Sequence, residues 1–249
     1  MAAPQSVCLT GVDTPADSSS PWASAIDYAQ RALRAQADPE KAGLMQAYLK
    51  TDMPFYGVQK PGRAPIVRRL VKEHPPGDRD GYEQLVLALW SLPHREEKYL
   101  AQGVAAAHER FIVPASAALY RRMIVEGAWW DLVDEAAVRL VRPLVVNHPG
   151  GAWPVVDSWV DDEDMWLRRA AVICQVGAKE RTDPDRLFGF CERRMAEKEF
   201  FIRKAIGWAL REYAKTEPQA VADFAAANRG GLSGLSFREA TKHIGDLIR

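Results

Sequence analysis

The chain has 249 residues, enough for one large domain or two small ones, and 47% of them are hydrophobic, enough for a proper core. Its 33 basic and 33 acidic residues cancel, so net charge alone does not mark a binder of polyanions. The cancellation hides an uneven distribution: residues 1–30 hold Asp13, Asp17 and Asp27 and no Lys or Arg, which leaves 33 basic against 30 acidic residues, a net of +3, in residues 31–249.

Residues 1–21 are rich in Ala, Ser, Pro, Asp and Thr and are expected to be a disordered tail. Residues 22–249 are expected to form a single all-α domain. Sustained period-2 alternation and Asn-Gly hairpin signals are absent, and Pro and Gly punctuate helical windows. The expected breaks include Pro61-Gly62, Pro75-Pro76-Gly77, Pro149-Gly150-Gly151 and Gly230-Gly231. Around the first break runs a cationic cluster, Lys60, Arg63, Arg68, Arg69 and Lys72, of a kind that suits phosphate contacts. Near the end, Ser236 followed by Glu239 reads as a capping box that opens the last helix.

The most informative pattern is a period. Asp134, in Trp129-Trp130-Asp131-Leu132-Val133-Asp134, is followed 35 residues later by Arg169 and 35 residues after that by Lys204. The last two lie in similar blocks, Trp166-Leu167-Arg168-Arg169-Ala170-Ala171 and Phe201-Ile202-Arg203-Lys204-Ala205-Ile206. A fixed period in an all-helical chain points to an α-solenoid of HEAT-like helix pairs, whose equivalent positions line one curved face. Here that face should be basic and concave.

Helical angles sort the side chains further. In the helix after residue 200, Ile202, Ala205, Ile206, Ala209, Leu210 and Tyr213 share one face. Lys204, Trp208, Arg211 and Lys215 fall on a stripe roughly opposite, so Trp208 should stand among cations away from the core. In the helix after Trp130, Val133, Ala136, Ala137, Leu140 and Leu144 form the apolar face, with Trp130 and Asp134 on one flank of it. Arg169 sits in a helix that is apolar nearly all round. It needs a partner, which Asp134 or a phosphate would supply.

These residues resemble the DNA alkylation repair family of HEAT-like DNA glycosylases, the AlkD type. The resemblance runs through Tyr48, Pro54-Phe55-Tyr56-Gly57-Val58 and Leu89-Trp90-Ser91-Leu92-Pro93-His94-Arg95-Glu96. It continues through the Trp129–Asp134 and Trp166–Ala171 blocks, the long block from Glu199 to Lys215, and Arg238-Glu239-Ala240. It implies excision of N3- and N7-alkylated purines from double-stranded DNA without flipping the lesion into a pocket, which is the common strategy of glycosylases. It also implies a catalytic carboxylate at Asp134, sugar-contacting rings at Trp130 and Trp208, and an essential cation at Arg169. Tyr48, Lys60, Arg63, Arg68, Lys204, Arg211 and Lys215 are the expected DNA contacts.

No metal or other cofactor is expected, because no His/Cys cluster has ligand spacing. Cys8, Cys174 and Cys191 show no pairing pattern, which suggests a reducing compartment. No apolar run reaches about 18 residues, and the N-terminus lacks the features of a signal peptide. The expectation is a cytoplasmic monomer without an obligate protein partner or membrane association. Two other readings stay open on the residues alone: a non-catalytic module that binds DNA structure, and a protein-binding scaffold.

Overall fold

A computed structural model of the chain describes residues 21–248. The expected tail lies outside the described residues up to residue 20. Among the described residues every regular element is helical. The first helices are α1 (Ala23–Arg34), α2 (Pro39–Leu49), α3 (Lys60–Glu73), α4 (Arg79–Trp90), α5 (Arg95–Ala107) and α6 (Ala117–Gly127). Then α7 (Trp130–Ala136) runs through a π-helical turn, Ala137–Val141, into α8 (Arg142–Asn147). The rest are α9 (Pro149–Trp159), α10 (Met165–Ile173), α11 (Pro184–Arg194), α12 (Phe200–Tyr213), α13 (Pro218–Ala227) and α14 (Gly234–Ala240).

Short polar side chains start many of these helices, because the first N–H groups have no partner inside the helix. Asp38, Asp78, Asp164 and Asp183 cap α2, α4, α10 and α11 by accepting from backbone N–H groups of the first turn. The expected start of the last helix is displaced. Ser233, not Ser236, caps α14 by accepting from the Ser236 N–H at 3.0 Å. Ser236 lies inside the helix, where its hydroxyl donates to the Arg203 carbonyl at 2.9 Å. Two expected breaks also move: Pro61-Gly62 lies in the first turn of α3, and Pro149-Gly150-Gly151 begins α9. Proline fits there because a first-turn N–H has no helical partner to lose.

The helices stack as a solenoid of HEAT-like repeats. One row is formed by α3 on α5, α5 on α7, α7 on α10, α10 on α12 and α12 on α14. A second row backs it, with α4 on α5, α6 on α7, α9 on α10, α11 on α12 and α13 on α14. One apolar core runs between the rows from Ala25 to Ile244. The expected apolar faces of α7–α8 and α12 are all buried in it. No helix among the described residues is long and apolar enough to cross a membrane. Cys174 and Cys191 are free thiols inside the core, where burial pushes both pKa values up and away from reactive thiolate.

The first turn of α5 fastens the segment before α3. Glu96 is fully buried, and its carboxylate accepts from the N–H groups of Tyr56, Gly57 and Val58 at 2.8–3.1 Å. Glu97 accepts from the Tyr56 hydroxyl at 3.0 Å and the His94 N–H at 2.7 Å. The Pro54–Val58 and Pro93–Glu96 motifs are therefore clasped together as scaffold.

At the other end, α14 approaches α12 closely at Gly207. A Cβ there would stand 2.5 Å from the Glu239 Cβ and 3.2 Å from the Ser236 carbonyl oxygen. Gly207→Ala should therefore lower stability by about 1–3 kcal/mol, as overpacking does. Urea unfolding checks this, and an unchanged midpoint with an unchanged slope contradicts it.

Candidate active site

The row α3–α5–α7–α10–α12–α14 carries nearly every side chain singled out by the sequence. In its middle, Trp130 and Asp134 project from α7 and Arg169 from α10. The predicted partnership of Arg169 resolves in favour of Asp134. Arg169 Nε donates to Asp134 Oδ1 and Nη2 to Oδ2, both at 2.8 Å. Its Nη1 donates to the Phe201 carbonyl at 2.6 Å, in the first turn of α12. One guanidinium thus joins three successive helices of the row, α7, α10 and α12. These bonds tie its three nitrogens to protein oxygens.

Arg169 is 5% exposed, and its helix is buried on nearly every side. The rings of Trp129, Trp166 and Phe201 form a cluster with centroid separations of 4.9–5.9 Å, and the guanidinium lies 5.9 Å from the Phe201 centroid. Flat apolar rings pack a flat cation without competing for its hydrogen bonds. The Asp134 side chain is 18% exposed, so it reaches solvent at the rim of this packing. Burial pushes its carboxyl above the usual aspartate range. The Arg169 hydrogen bonds and charge oppose that rise, and the nearby charge of Asp131 adds to it.

Trp130 lies beside the pair, with its ring edge-on to Tyr48 at 6.3 Å and 80°. Tyr48 is 74% exposed. Tyr48, Trp130, Arg169, Phe200, Phe201 and Lys204 line an open cleft of about 330 Å³. Phe200, which the sequence did not single out as a site residue, is another exposed ring on its rim. Trp130 also borders a larger cleft of about 640 Å³, whose walls include Lys60, Arg63, Arg68, Tyr99 and Asp131.

Trp208 and the expected cations fare unequally. Lys60 and Arg68 are exposed at the larger cleft, with no acidic partner among the described residues. Arg63 is engaged inside the protein: it donates to the Val58 carbonyl at 2.7 Å and covers the Tyr99 ring at 4.3 Å. Lys204 pairs with Glu239 at 2.8 Å, Arg211 pairs with the other oxygen of the same carboxylate, and Lys215 pairs with Glu212 at 2.6 Å. Glu239 follows Lys204 by the same 35 residues that separate Asp134 from Arg169, so the period itself could have found it. Trp208 is half-buried and packed against the core instead of standing wholly clear of it. The reason is that α12 is surrounded by α10, α11, α13 and α14. Trp208 lines neither cleft described above.

A second arginine–carboxylate fork precedes the first. Arg95 Nε donates to Asp131 Oδ2 at 3.1 Å, and its Nη2 and the Tyr99 hydroxyl also donate to the Asp131 carboxylate. Their spacings, 36 and 32 residues, depart from 35 and hid this cluster from the periodicity. No group of three or more His, Cys, Asp or Glu among the described residues is placed to hold a metal ion.

The sequence profile of a family described as DNA alkylation repair enzyme matches residues 29–244. The chain belongs to this family. A solved structure described as a predicted DNA alkylation repair enzyme from Enterococcus faecalis is 30% identical, with a TM-score of 0.77 over 84% of this chain and 96% of that one. The structure of AlkD2 from Streptococcus mutans shares the fold at 15% identity, with a TM-score of 0.57 over 82% of this chain and 99% of that one. No curated protein matches the chain. Membership supports a role in DNA repair, and with it the binding of DNA.

The ion pair makes a prediction about protonation. Arg169→Gln removes the charge and the paired hydrogen bonds that hold the Asp134 carboxyl down and leaves burial and the charge of Asp131 acting. The Asp134 pKa should then move further up, read by carboxyl carbon NMR across an acid titration. A pKa that stays in place contradicts the coupling.

Proposed function

We propose that this repair enzyme is a glycosylase that hydrolyses the N-glycosidic bond of N3- and N7-alkylated purines in duplex DNA. The observation that carries the proposal is a partly exposed carboxylate fixed by the guanidinium fork of Arg169, which itself lines an open cleft with Trp130. An alkylated purine of this kind carries positive charge in the ring. It departs as a neutral base without prior protonation, so the site needs no general acid for the leaving group. The sugar left behind is oxocarbenium-like.

Asp134 suits that intermediate. Arg169 occupies one lone-pair direction on each carboxylate oxygen, and a carboxylate has about four in all. The others remain for a water and for the positive anomeric carbon. Water adds to the anomeric carbon as the bond to the base breaks, and Asp134 or solvent takes its proton. The faces of Trp130 and Trp208 would add roughly 0.5–2 kcal/mol each by cation–π attraction to the sugar. Because Trp208 lines neither cleft, its contribution requires the duplex to reach along α12 beyond Lys204.

The open form of both clefts favours a reaction that leaves the lesion in or near the stack rather than enclosing it. Lys60 and Arg68 are the cations best placed to hold backbone, since neither forms an ion pair among the described residues. Lys204 and Arg211 would bind phosphate in exchange for Glu239. A monomer acting in the cytoplasm without an obligate partner or cofactor is part of the same proposal.

The deciding experiment is release of 7-methylguanine and 3-methyladenine from methylated duplex DNA. Release of free base supports the reading. Binding of the duplex with no release of either base contradicts it and favours a non-catalytic DNA binder. A second prediction concerns affinity. Replacing Lys60 and Arg68 together with Ala should weaken duplex binding and lower the slope of log K against log salt by about 2, near 0.9 for each phosphate contact. An unchanged slope contradicts phosphate contact at these two residues.

A further inference from the structure

We infer that Asp131, gripped by Arg95 and Tyr99, is a positioning residue for base excision: it fixes the first turn of α7 so that Trp130 and Asp134 are presented together. The inference rests on the glycosylase reading and goes beyond it, because Asp131 touches neither sugar nor base in that scheme.

The first turn of α7 has little to hold it by itself. The helix runs on through the π-helical turn into α8, but its N-cap residue, Trp129, provides no side-chain cap. Ala128 before it is in the left-handed region, with φ 38°. Beyond the buried Leu132 and Val133, two arginine forks three residues apart tie the start of α7 to its neighbours in the row. Arg95 reaches Asp131 from α5, the preceding helix in the row, and Arg169 reaches Asp134 from α10, the following one. Trp130 lies at the start of the same turn.

The Arg95 fork has a rigid base. Arg95 is 1% exposed, and its own N–H donates to the Pro54 carbonyl at 2.9 Å. The next residue, Glu96, clasps the Tyr56–Val58 backbone. Tyr99 lies one turn further along α5, with Arg63 stacked over its ring. Burying this much charge is costly, and apolar side chains of similar volume would pack the helix as well or better. What an arginine–carboxylate fork adds is direction, since its parallel hydrogen bonds fix both distance and orientation. A misplacement of about 1 Å in a catalytic group costs on the order of a hundredfold in rate.

The test uses the full chain and three proteins: wild type, Asp131→Asn and Tyr99→Phe. Single-turnover release of 7-methylguanine from duplex is measured beside duplex affinity and the thermal midpoint. Asp131→Asn should slow release by about ten- to a hundredfold. Tyr99→Phe removes one hydroxyl and should slow release by a smaller factor while folding as wild type does. In both variants duplex affinity should hold, so the loss falls on kcat and not on binding, a split that general loosening of the fold does not produce. If Asp131→Asn fails to fold, Tyr99→Phe carries the test. Wild-type rates in a folded Tyr99→Phe, or a rate loss matched by lost affinity, overturn the positioning role and leave the glycosylase reading intact. Absence of release by wild type overturns that reading, and the inference with it.

Discussion

On the face proposed to meet DNA, a negative charge is a liability unless something holds it still and offsets it. Asp134 meets that condition through Arg169. The carboxylate sits at the edge of an apolar stack, where burial favours its neutral form. At a separation of about 4 Å and an effective dielectric near 20, a cation returns on the order of 4 kcal/mol. The same guanidinium also reaches the Phe201 carbonyl, so α7, α10 and α12 share one anchor. Three aromatic rings around it supply packing that makes no demand on its donors. The site depends on a cation that must stay inside the fold, which is why Arg169 and Lys204 have different work despite equivalent places in the repeat.

The row of helices extends this arrangement into a polar ladder. Arg63 covers Tyr99, Tyr99 and Arg95 hold Asp131, Arg169 holds Asp134, and Glu239 holds Lys204 and Arg211. Each rung joins one repeat to the next, so the groups that would meet a duplex are already oriented. Orientation has a cost in field: Glu239 offsets two of the cations nearest the site, while Lys60 and Arg68 keep theirs. The side of the site toward α3 is therefore the stronger attractor for a phosphate backbone.

Much of this was legible in the chain. The period of 35 gave the repeat, because equivalent positions in a solenoid recur whenever repeat lengths match. The apolar faces of α7–α8 and α12 followed from helical angle alone, and every residue assigned to them is buried. Trp208 shows where the angle stops helping. A wheel describes one helix, and α12 has neighbours on several sides, so a residue off its apolar face is still partly covered. Ser236 and Glu239 show the limit of local motifs: their spacing fits a capping box, but both side chains serve contacts with α12 while Ser233 does the capping. The Asp131 cluster stayed hidden because its rungs span 36 and 32 residues and its acid stands beside a more conspicuous one. The family resemblance supplied the expected roles of Trp130, Asp134, Arg169 and Trp208, which geometry alone would have left open.

The account turns on Asp134 acting in the chemistry and not only in the fold. Single-turnover release of 7-methylguanine by Asp134→Asn, with duplex affinity and thermal midpoint read on the same preparation, tests this most directly. The account predicts a folded protein that binds duplex at least as tightly as wild type, since a negative charge has gone, and that releases base about a hundredfold more slowly or worse. Release near the wild-type rate would remove the carboxylate from the mechanism and contradict the account at its centre.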